Sequence, residues 1–352
     1  MPKAFLICFF LLAFVNYSTA QETLATSENL IVTPLFSKEE PLAIKLKYSN
    51  RQVRRETNDS TYLESVLEYE DENGEWKSLD IKLRARGNYR RTNCYFPPLK
   101  LKIKKKVRKE TLFEGNKELK LVLPCQLSKH SHDYVLKEYL AYKLYEVVTP
   151  FHFKTRAVSL ELTEIKGKKE KTHQLMGFLI EDIDKVADRH GARKLKRSVH
   201  PLQQDNVCSV QNDFFQYMIG NTDFSVAYQH NEKLIFVTDR KAIPIPYDFD
   251  MSGLVNANYA VVSQVQNEVL SITKVTERLF RGFKRGESVF EFIRQDFLGK
   301  KAQMMQIVDD LEPQFQDPRQ FELARDFIEE FFVVLKSEKR FQREILAVAR
   351  VK

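Results

Sequence analysis

Apolar and polar residues alternate along much of the chain between about residue 30 and residue 165, which is typical of half-buried β-strands. The alternation predicts strands at residues 81–86, 99–104, 119–123, 157–165 and 174–180. Asn73 and Gly74 are a hairpin-turn signal ahead of the first of them. We therefore expect the first half of the chain to be rich in strands.

Apolar residues at helical spacing predict a second kind of element. Helices are expected at residues 133–147, 213–219, 289–297 and 321–335, and throughout the chain beyond about Ser271. Asp133 is a candidate N-cap of the first helix, and Pro150 ends it. A short hairpin is expected around residues 234–237. Together the patterns predict an α+β fold with a strand-rich lobe (21–182) holding one inserted helix and a mainly helical lobe (183–352).

The first 20 residues have the layout of a secretory signal peptide. Lys3 precedes the apolar run 4–15, and the small residues 18–20 stand before Gln21. The apolar run is shorter than the ~20 residues that a membrane-spanning helix needs. We expect residues 1–20 to be removed and the rest to act in the periplasm, at the cell surface or as a secreted protein, with no stable membrane span.

Charge and cysteine content narrow the partners. The formal net charge of +8 is modest and dispersed, so it favours anionic ligands only weakly and does not indicate nucleic acid. Three cysteines follow the expected cleavage point: Cys94, Cys125 and Cys208. A Cys94–Cys125 disulfide and buried thiols are both compatible with the sequence.

The densest group of polar residues lies at 220–225, 230–231 and 246–250. Acids at the ends of predicted elements suit a divalent-cation site, because Mg²⁺ prefers carboxylate and amide oxygens together with phosphate. The alternative is that Asp223 caps a turn and that Asp248 and Asp250 are ordinary loop acids.

Basic residues form a second candidate site at residues 84–91 (RARGNYRR). A strand that delivers Arg84 and Arg86 into a Gly-Asn turn presents guanidinium and backbone N–H groups to phosphate. Lys100, Lys102 and Lys104 follow on the next predicted strand. They form either a solvated face or, for one of them, a contact to phosphate.

The order of these segments resembles the CotH family, which comprises spore-coat-H-type, often exported proteins with an atypical kinase fold. The resemblance covers about residues 79–258 and rests on 84–88 (RARGN), the lysine strand after Pro97 and Pro98, the helix from Asp133, 177–182 (GFLIED), 221–223 (NTD), 230–231 (HN) and 247–250 (YDFD). It implies a bilobal protein-kinase-like fold that binds ATP with Mg²⁺ or Mn²⁺ and phosphorylates proteins.

The resemblance also implies roles for individual residues. Asp223 is similar to the catalytic Asp that orients the acceptor hydroxyl, Asn231 and Asp248 are similar to the metal ligands, and Asp250 is a second candidate ligand. Lys100 or Lys102 would contact phosphate, with Glu138 as ion-pair partner. Glu181 would lie between the lobes near the adenine.

The leading hypothesis is therefore an exported phosphotransferase that modifies Ser or Thr of a secreted or envelope protein. Two alternatives stay open. Asn231 lies eight residues after Asp223, against five in ordinary kinases, and no GxGxxG loop is present, so the chain is alternatively an inactive, kinase-fold binding module at the cell surface. The acids would also suit a metal-dependent hydrolase.

Overall fold

The computed structural model describes residues 32–87, 89–238, 241–263 and 269–351. The expected signal peptide and Asn88 lie outside the described residues. The strands are β1 (Leu42–Tyr48), β2 (Leu63–Glu70), β3 (Trp76–Ala85), β4 (Leu99–Ile103), β5 (Glu118–Val122), β6 (Thr155–Lys166), β7 (Lys169–Ile180), β8 (Arg193–Leu195), β9 (Glu232–Phe236) and β10 (Ala242–Pro246). The α-helices are α1 (Asn50–Glu56), α2 (Tyr89–Asn93), α3 (Lys105–Arg108), α4 (Ser131–Val148), α5 (Ile183–Arg189), α6 (Asn206–Met218), α7 (Glu287–Asp310), α8 (Pro318–Lys336) and α9 (Glu338–Phe341).

The first seven strands form a closed barrel in the order β1-β2-β3-β4-β5-β7-β6. All neighbours are antiparallel except β1 and β6, whose parallel pairing closes the barrel. The expectation of a bilobal protein-kinase-like fold is therefore wrong. Alternation along single strands predicts their positions, but it carries no information about whether the first strand pairs with a strand more than a hundred residues away.

The barrel interior is filled by the apolar half of each alternating strand. Leu83, Leu101 and Leu121 on adjacent strands have no exposed surface, and the intervening cationic residues point outward. Burial of a leucine side chain contributes roughly 1.5–3 kcal/mol. The strands are thus defined by the same alternation that places Lys and Arg on the outer face.

Helix α4 packs against β6 and β7 of the barrel. Helix α4 follows β5, and α6, α7 and α8 share a second hydrophobic core with it. A small antiparallel sheet, β10-β9-β8, lies beside α6. Residues beyond Ser271 are not helical throughout, because α7 begins only at Glu287. Within the described residues, no helix is both long and apolar enough to cross a membrane.

Asp133 has a different role from the one that its position suggests. It lies inside the first turn of α4 rather than at its N-cap. Its fully buried carboxylate accepts hydrogen bonds from the backbone N–H groups of Gln316 (2.9 Å) and Asp317 (3.2 Å). Asp133 therefore joins the start of α4 to the start of α8, whose own N-cap is Asp317.

A buried acid in α6 makes stability depend on pH. Burial raises the pKa of Asp213 to about 7, with Arg285 and Arg350 acting in the opposite direction. Between pH 4 and pH 7 the folded chain holds a proton that the unfolded chain releases, so the free energy of unfolding should fall as pH rises, by at most about 1.4 kcal/mol per pH unit. Urea unfolding of wild type and Asp213→Asn across this range checks this. In Asp213→Asn the free energy of unfolding should fall less steeply with pH than in wild type. The same pH dependence in both proteins would refute the role of Asp213.

Candidate functional site

A cleft of about 840 Å³ opens where the segment after β3 meets the loops around β9 and β10. Five of the residues to which the resemblance or the basic segment gives a catalytic, phosphate-binding or metal-binding role line it: Arg86, Asp223, Asn231, Asp248 and Asp250. The described residues lining it also include Asp59, Arg84, Gly87, Tyr89, Arg90, Pro98, His230, Lys233, Tyr247, Met251, Val261, Val262 and Ser263. The cleft therefore collects the acidic and the basic candidate segments into one place.

Asp223 is held by three neighbouring side chains. Its Oδ1 accepts a hydrogen bond from Ser263 Oγ (3.0 Å) and lies 3.3 Å from His230 Nε2. Its Oδ2 accepts from Asn231 Nδ2 (3.0 Å), and the same amide donates to the Asp223 carbonyl (2.7 Å). The carboxylate is thus fixed in direction while a quarter of the side chain stays exposed.

These contacts also set the protonation of Asp223. Burial alone would raise its pKa, but the hydrogen bond and charge of His230, with the hydrogen bonds from Ser263 and Asn231, lower the pKa below its usual value. The same pair raises the pKa of His230. Asp223 is therefore an ionised, oriented carboxylate at neutral pH.

Asn231 and Asp248 share an unusual backbone conformation. Their φ angles are 53° and 67°, in the left-handed region that Asn and Asp tolerate better than most residues. The N–H of Asp248 donates to Tyr142 Oη on α4 (3.0 Å), and the N–H of Tyr247 donates to the Asn231 carbonyl (3.0 Å). Such conformations cost about 1–3 kcal/mol and concentrate at functional sites. The two loops are consequently held against each other with both side chains at the cleft.

Arg90 lies buried between two acids at the back of the cleft. It donates to Glu138 Oε2 (2.9 Å) and to the Leu123 carbonyl (3.0 Å), and its Nε is 3.6 Å from Asp250 Oδ2. Burial raises the pKa of both carboxyls, and the guanidinium opposes it. Asp250 also shares a hydrogen bond with Tyr259. The back of the cleft is thus formed by a buried charged group of Glu138, Arg90 and Asp250. The ion-pair partner of Glu138 is Arg90, not Lys100 or Lys102 as predicted.

Lys120 on β5 stands beside the cleft among aromatic rings. Its ammonium lies 4.2 Å from the ring centroid of Tyr247 and 4.8 Å from that of Phe153. Burial, helped by the charge of Arg86, lowers the pKa of Lys120 to about 7, while Asp182 and Asp248 act in the opposite direction. No described carboxylate forms an ion pair with it. Lys120 lies near Arg86 and has no ion-pair partner among the described acids, so its ammonium group is well suited to bind an incoming anion.

Three predicted cofactor-binding residues lie outside the cleft. Lys100 forms an ion pair with Glu118 (2.5 Å), and Lys102 lies in a separate groove with Tyr62. Glu181 is buried, accepts from the N–H of Lys154 (2.7 Å) and pairs with Arg189 (2.7 Å). These contacts tie neighbouring elements together, and the structure does not bring these side chains to Asp223.

No family model and no curated protein matches this chain. The resemblance to the CotH family therefore rests on the order of the sequence segments alone.

Several residues at the cleft are not identified by any pattern in the sequence. Arg90 stands in a basic run with nothing to set it apart, and Lys120, Lys233, Tyr259 and Ser263 belong to no motif. Lys120 alternates with Leu119 and Leu121 just as Lys100 does with its neighbours, so periodicity does not separate them. Ser263 and Tyr259 lie in a stretch without periodic pattern, where the only signal is closeness in sequence to the acids at 247–250.

A disulfide fastens the back of the cleft. Cys94, next to α2, is bonded to Cys125, and the N–H of Tyr95 donates to the Cys125 carbonyl (2.7 Å). Of the two possibilities that the sequence leaves open for these cysteines, the structure contains the disulfide, while Cys208 is buried elsewhere. The bond links α2, which carries Arg90, to the segment after β5.

Removing this disulfide should destabilise the protein strongly. The two cysteines are 31 residues apart, so the chain-entropy model predicts a loss of about 3–4 kcal/mol for Cys94→Ser/Cys125→Ser. Urea unfolding with and without reductant measures it. Reductant should lower wild-type stability and leave the double variant unchanged. A variant as stable as oxidised wild type would contradict the prediction.

Proposed function

We propose that the cleft binds ATP together with Mg²⁺ or Mn²⁺ and transfers a phosphoryl group to a Ser or Thr hydroxyl of a secreted or envelope protein. One observation carries the proposal. A single cleft combines an ionised, hydrogen-bonded Asp223 with the cation Arg86 and the Asp248 carboxylate, which lie 3.9 Å apart. Phosphoryl transfer depends on positioning and charge stabilisation rather than on a covalent nucleophile, so this set of groups suits it.

The cations supply the phosphate contacts. Arg84, Arg86 and Lys233 line the cleft, and Lys120 stands beside it. Arg86 is only loosely held, with one guanidinium nitrogen 3.9 Å from Asp248 Oδ2. A guanidinium group binds phosphate in a bidentate manner, with two parallel N–H···O hydrogen bonds, whereas a lysine ammonium acts as a compact point charge. Lys120 gains most from an incoming phosphate, because that charge favours the protonated form that burial opposes.

Asp223 has the geometry of a positioning group for the acceptor hydroxyl. Hydrogen bonds from Ser263 and Asn231 fix the direction of its carboxylate, and its lowered pKa keeps it ionised. It would accept the hydroxyl hydrogen and aim the oxygen at the phosphate. His230, which shares a hydrogen bond with it, would help to stabilise the charge.

The divalent cation fits a limited donor set. Asp248 has a partly exposed carboxylate, and Asn231 uses its amide nitrogen toward Asp223, which leaves the amide oxygen. In the described part of the chain, no three His, Cys, Asp or Glu side chains come together to hold a metal ion by themselves. Mg²⁺ is often bound by one or two protein oxygens plus substrate phosphates, so Asp248 and Asn231 would hold it, with Asp250 behind them engaged by Arg90 and Tyr259. When bound, the cation would neutralise phosphate charge.

Label transfer tests the proposal. The purified protein is incubated with γ-labelled ATP and Mg²⁺ or Mn²⁺, alone and with a protein mixture from the extracytoplasmic fraction. We expect label on Ser or Thr of the protein itself or of an acceptor, and none after chelation. Absence of transfer with either metal, alongside intact ATP binding, would support the binding-module alternative and reject catalysis. Loss of phosphate from simple phosphoesters without ATP would favour the hydrolase.

A further inference from the structure

The outer face of the barrel carries a strongly basic groove of about 630 Å³. Six of the ten residues that line it are Lys or Arg: Lys82, Lys102, Lys104, Lys105, Arg108 and Lys117. None of the described residues lining it is acidic. Lys104, Lys105 and Lys117 are exposed, so their charges face solvent.

The register of the barrel places like charges directly opposite one another. Lys82 pairs with Lys102, Arg84 with Lys100, and Lys100 with Lys120, although Lys82 also faces Glu64 on β2 and Lys102 also faces Glu118 on β5. Like charges facing each other across antiparallel strands are destabilising, whereas opposite charges in the same positions contribute about 0.2–1 kcal/mol. Folding alone would therefore favour acids at some of these positions.

Lysines on a strand often protect an exposed sheet edge or form ion pairs with neighbouring acids. Neither role accounts for all the lysines here. Lysines protect exposed sheet edges from pairing with other chains, but β4 lies between β3 and β5 in a closed barrel. The nearby acids neutralise only part of the charge: Glu64 pairs with Lys82 (2.6 Å) and Glu118 with Lys100 (2.5 Å). Within the described residues, Lys102, Lys104 and Lys117 have no carboxylate at ion-pair distance. The charge is thus available to a partner.

A contact between Tyr62 and Arg84 relates the groove to the cleft. Tyr62 lines the groove, and its ring lies under both Lys102 Nζ (5.7 Å) and the Arg84 guanidinium (5.5 Å). Arg84 in turn lines the cleft that contains Asp223. An extended chain lying along the groove would therefore lead to the cleft past Tyr62 and Arg84.

We propose that this groove binds an acidic, extended segment of the protein substrate and delivers a neighbouring Ser or Thr to Asp223. The substrate class rests on the proposed function, whereas binding to the groove does not. Alternate side chains of a strand are about 6.6–6.8 Å apart on one face. Lys102 lies on β4, and Lys104 is the extended residue just after it, so the two are two residues apart in the chain, as are acids at every second position of an extended peptide. The complementarity in both charge and spacing favours an acidic polypeptide as the occupant.

Peptide binding tests the inference without nucleotide. The probes are fluorescent peptides of about 12 residues that alternate Glu with Ser or, as matched control, Gln with Ser. Affinity is measured by fluorescence anisotropy for wild type and for the groove variant Lys102→Gln/Lys104→Gln. The control variant is Lys168→Gln/Lys171→Gln, which removes two exposed lysines from the β6–β7 hairpin, outside the groove. The groove variant should lose at least about tenfold in affinity for the Glu peptide and the control less than twofold, with binding weakened by salt.

Three results would overturn the inference: equal loss in both variants, equal binding of Glu and Gln peptides, or tighter groove-dependent binding of a sulfated polysaccharide. Asp248→Ala should bind the Glu peptide normally. Groove binding with no phosphoryl transfer would reject the proposed function alone. Transfer that persists without groove binding or preference for acidic acceptors would reject the groove assignment alone.

Discussion

Asp223→Ala should lose phosphoryl transfer by a factor of about a hundred or more, while ATP affinity stays within a few-fold of wild type. Asp223 is fixed by His230, Ser263 and Asn231 at the cleft, and its proposed role concerns the acceptor hydroxyl rather than the nucleotide. Removing the Asp223 carboxylate leaves in place the cations that would contact phosphate. The effect should therefore fall on turnover and leave binding nearly unchanged.

Asp248→Ala supplies the contrast. It should lose both ATP affinity in the presence of Mg²⁺ and transfer, because its carboxylate would hold the cation that carries the phosphates. Asp188→Ala, which removes an exposed acid on α5, is the matched control and should change neither. Calorimetric ATP titration and label transfer on all three variants measure the difference. Equal loss of ATP binding in Asp223→Ala and Asp248→Ala would remove the distinct roles assigned to them.

Lys120→Met should weaken ATP binding by about tenfold or more while making the folded protein more stable at pH 7. A charge-assisted hydrogen bond contributes about 1.5–3 kcal/mol, which corresponds to roughly 10- to 150-fold in affinity. The stability gain follows from the pKa of Lys120, which burial lowers to about 7. From there up to about pH 10.4 the unfolded chain binds a proton that the folded chain does not, so wild-type stability should rise with pH in this window.

Lys100→Met is the control for Lys120. Lys100 is the cross-strand neighbour of Lys120 but pairs with Glu118 away from the cleft. ATP affinity of this variant should match wild type, and its urea unfolding should show no gain in stability. Unchanged ATP affinity in Lys120→Met, or a loss of stability at pH 7, would show that Lys120 is a structural lysine rather than a phosphate contact.

The sequence predicts five of the seven barrel strands, because alternation is a local property. The predicted segments 81–86, 99–104 and 119–123 overlap β3, β4 and β5, each running one residue past the end of its strand. Residues 157–165 and 174–180 fall on β6 and β7. The barrel closure is a non-local property: it depends on β1 pairing with β6 in parallel. An open sheet in a kinase-like lobe and a closed barrel have the same alternation, so the pattern does not distinguish them.

Some residues of the candidate site can likewise be predicted from local sequence signals, whereas others depend on non-local packing. Asp223, Asn231 and Asp248 stand at ends of elements among aromatic residues, and those local signals in the sequence are enough to single them out. Choosing among Lys100, Lys102 and Lys120 requires knowing which part of the outer barrel face meets the loops around β9 and β10. That choice is made by packing, and it places Lys120 under Tyr247 while Lys102 lies in the basic groove.

The most direct test of the central claim is a calorimetric titration of ATP into the wild-type protein with Mg²⁺ and with chelator. The cleft predicts saturable binding of one ATP per chain that needs the cation, persists in Asp223→Ala and is lost in Asp248→Ala and strongly weakened in Lys120→Met. Absence of binding with either Mg²⁺ or Mn²⁺, or binding that is indifferent to Asp248 and Lys120, would contradict a phosphate site in this cleft.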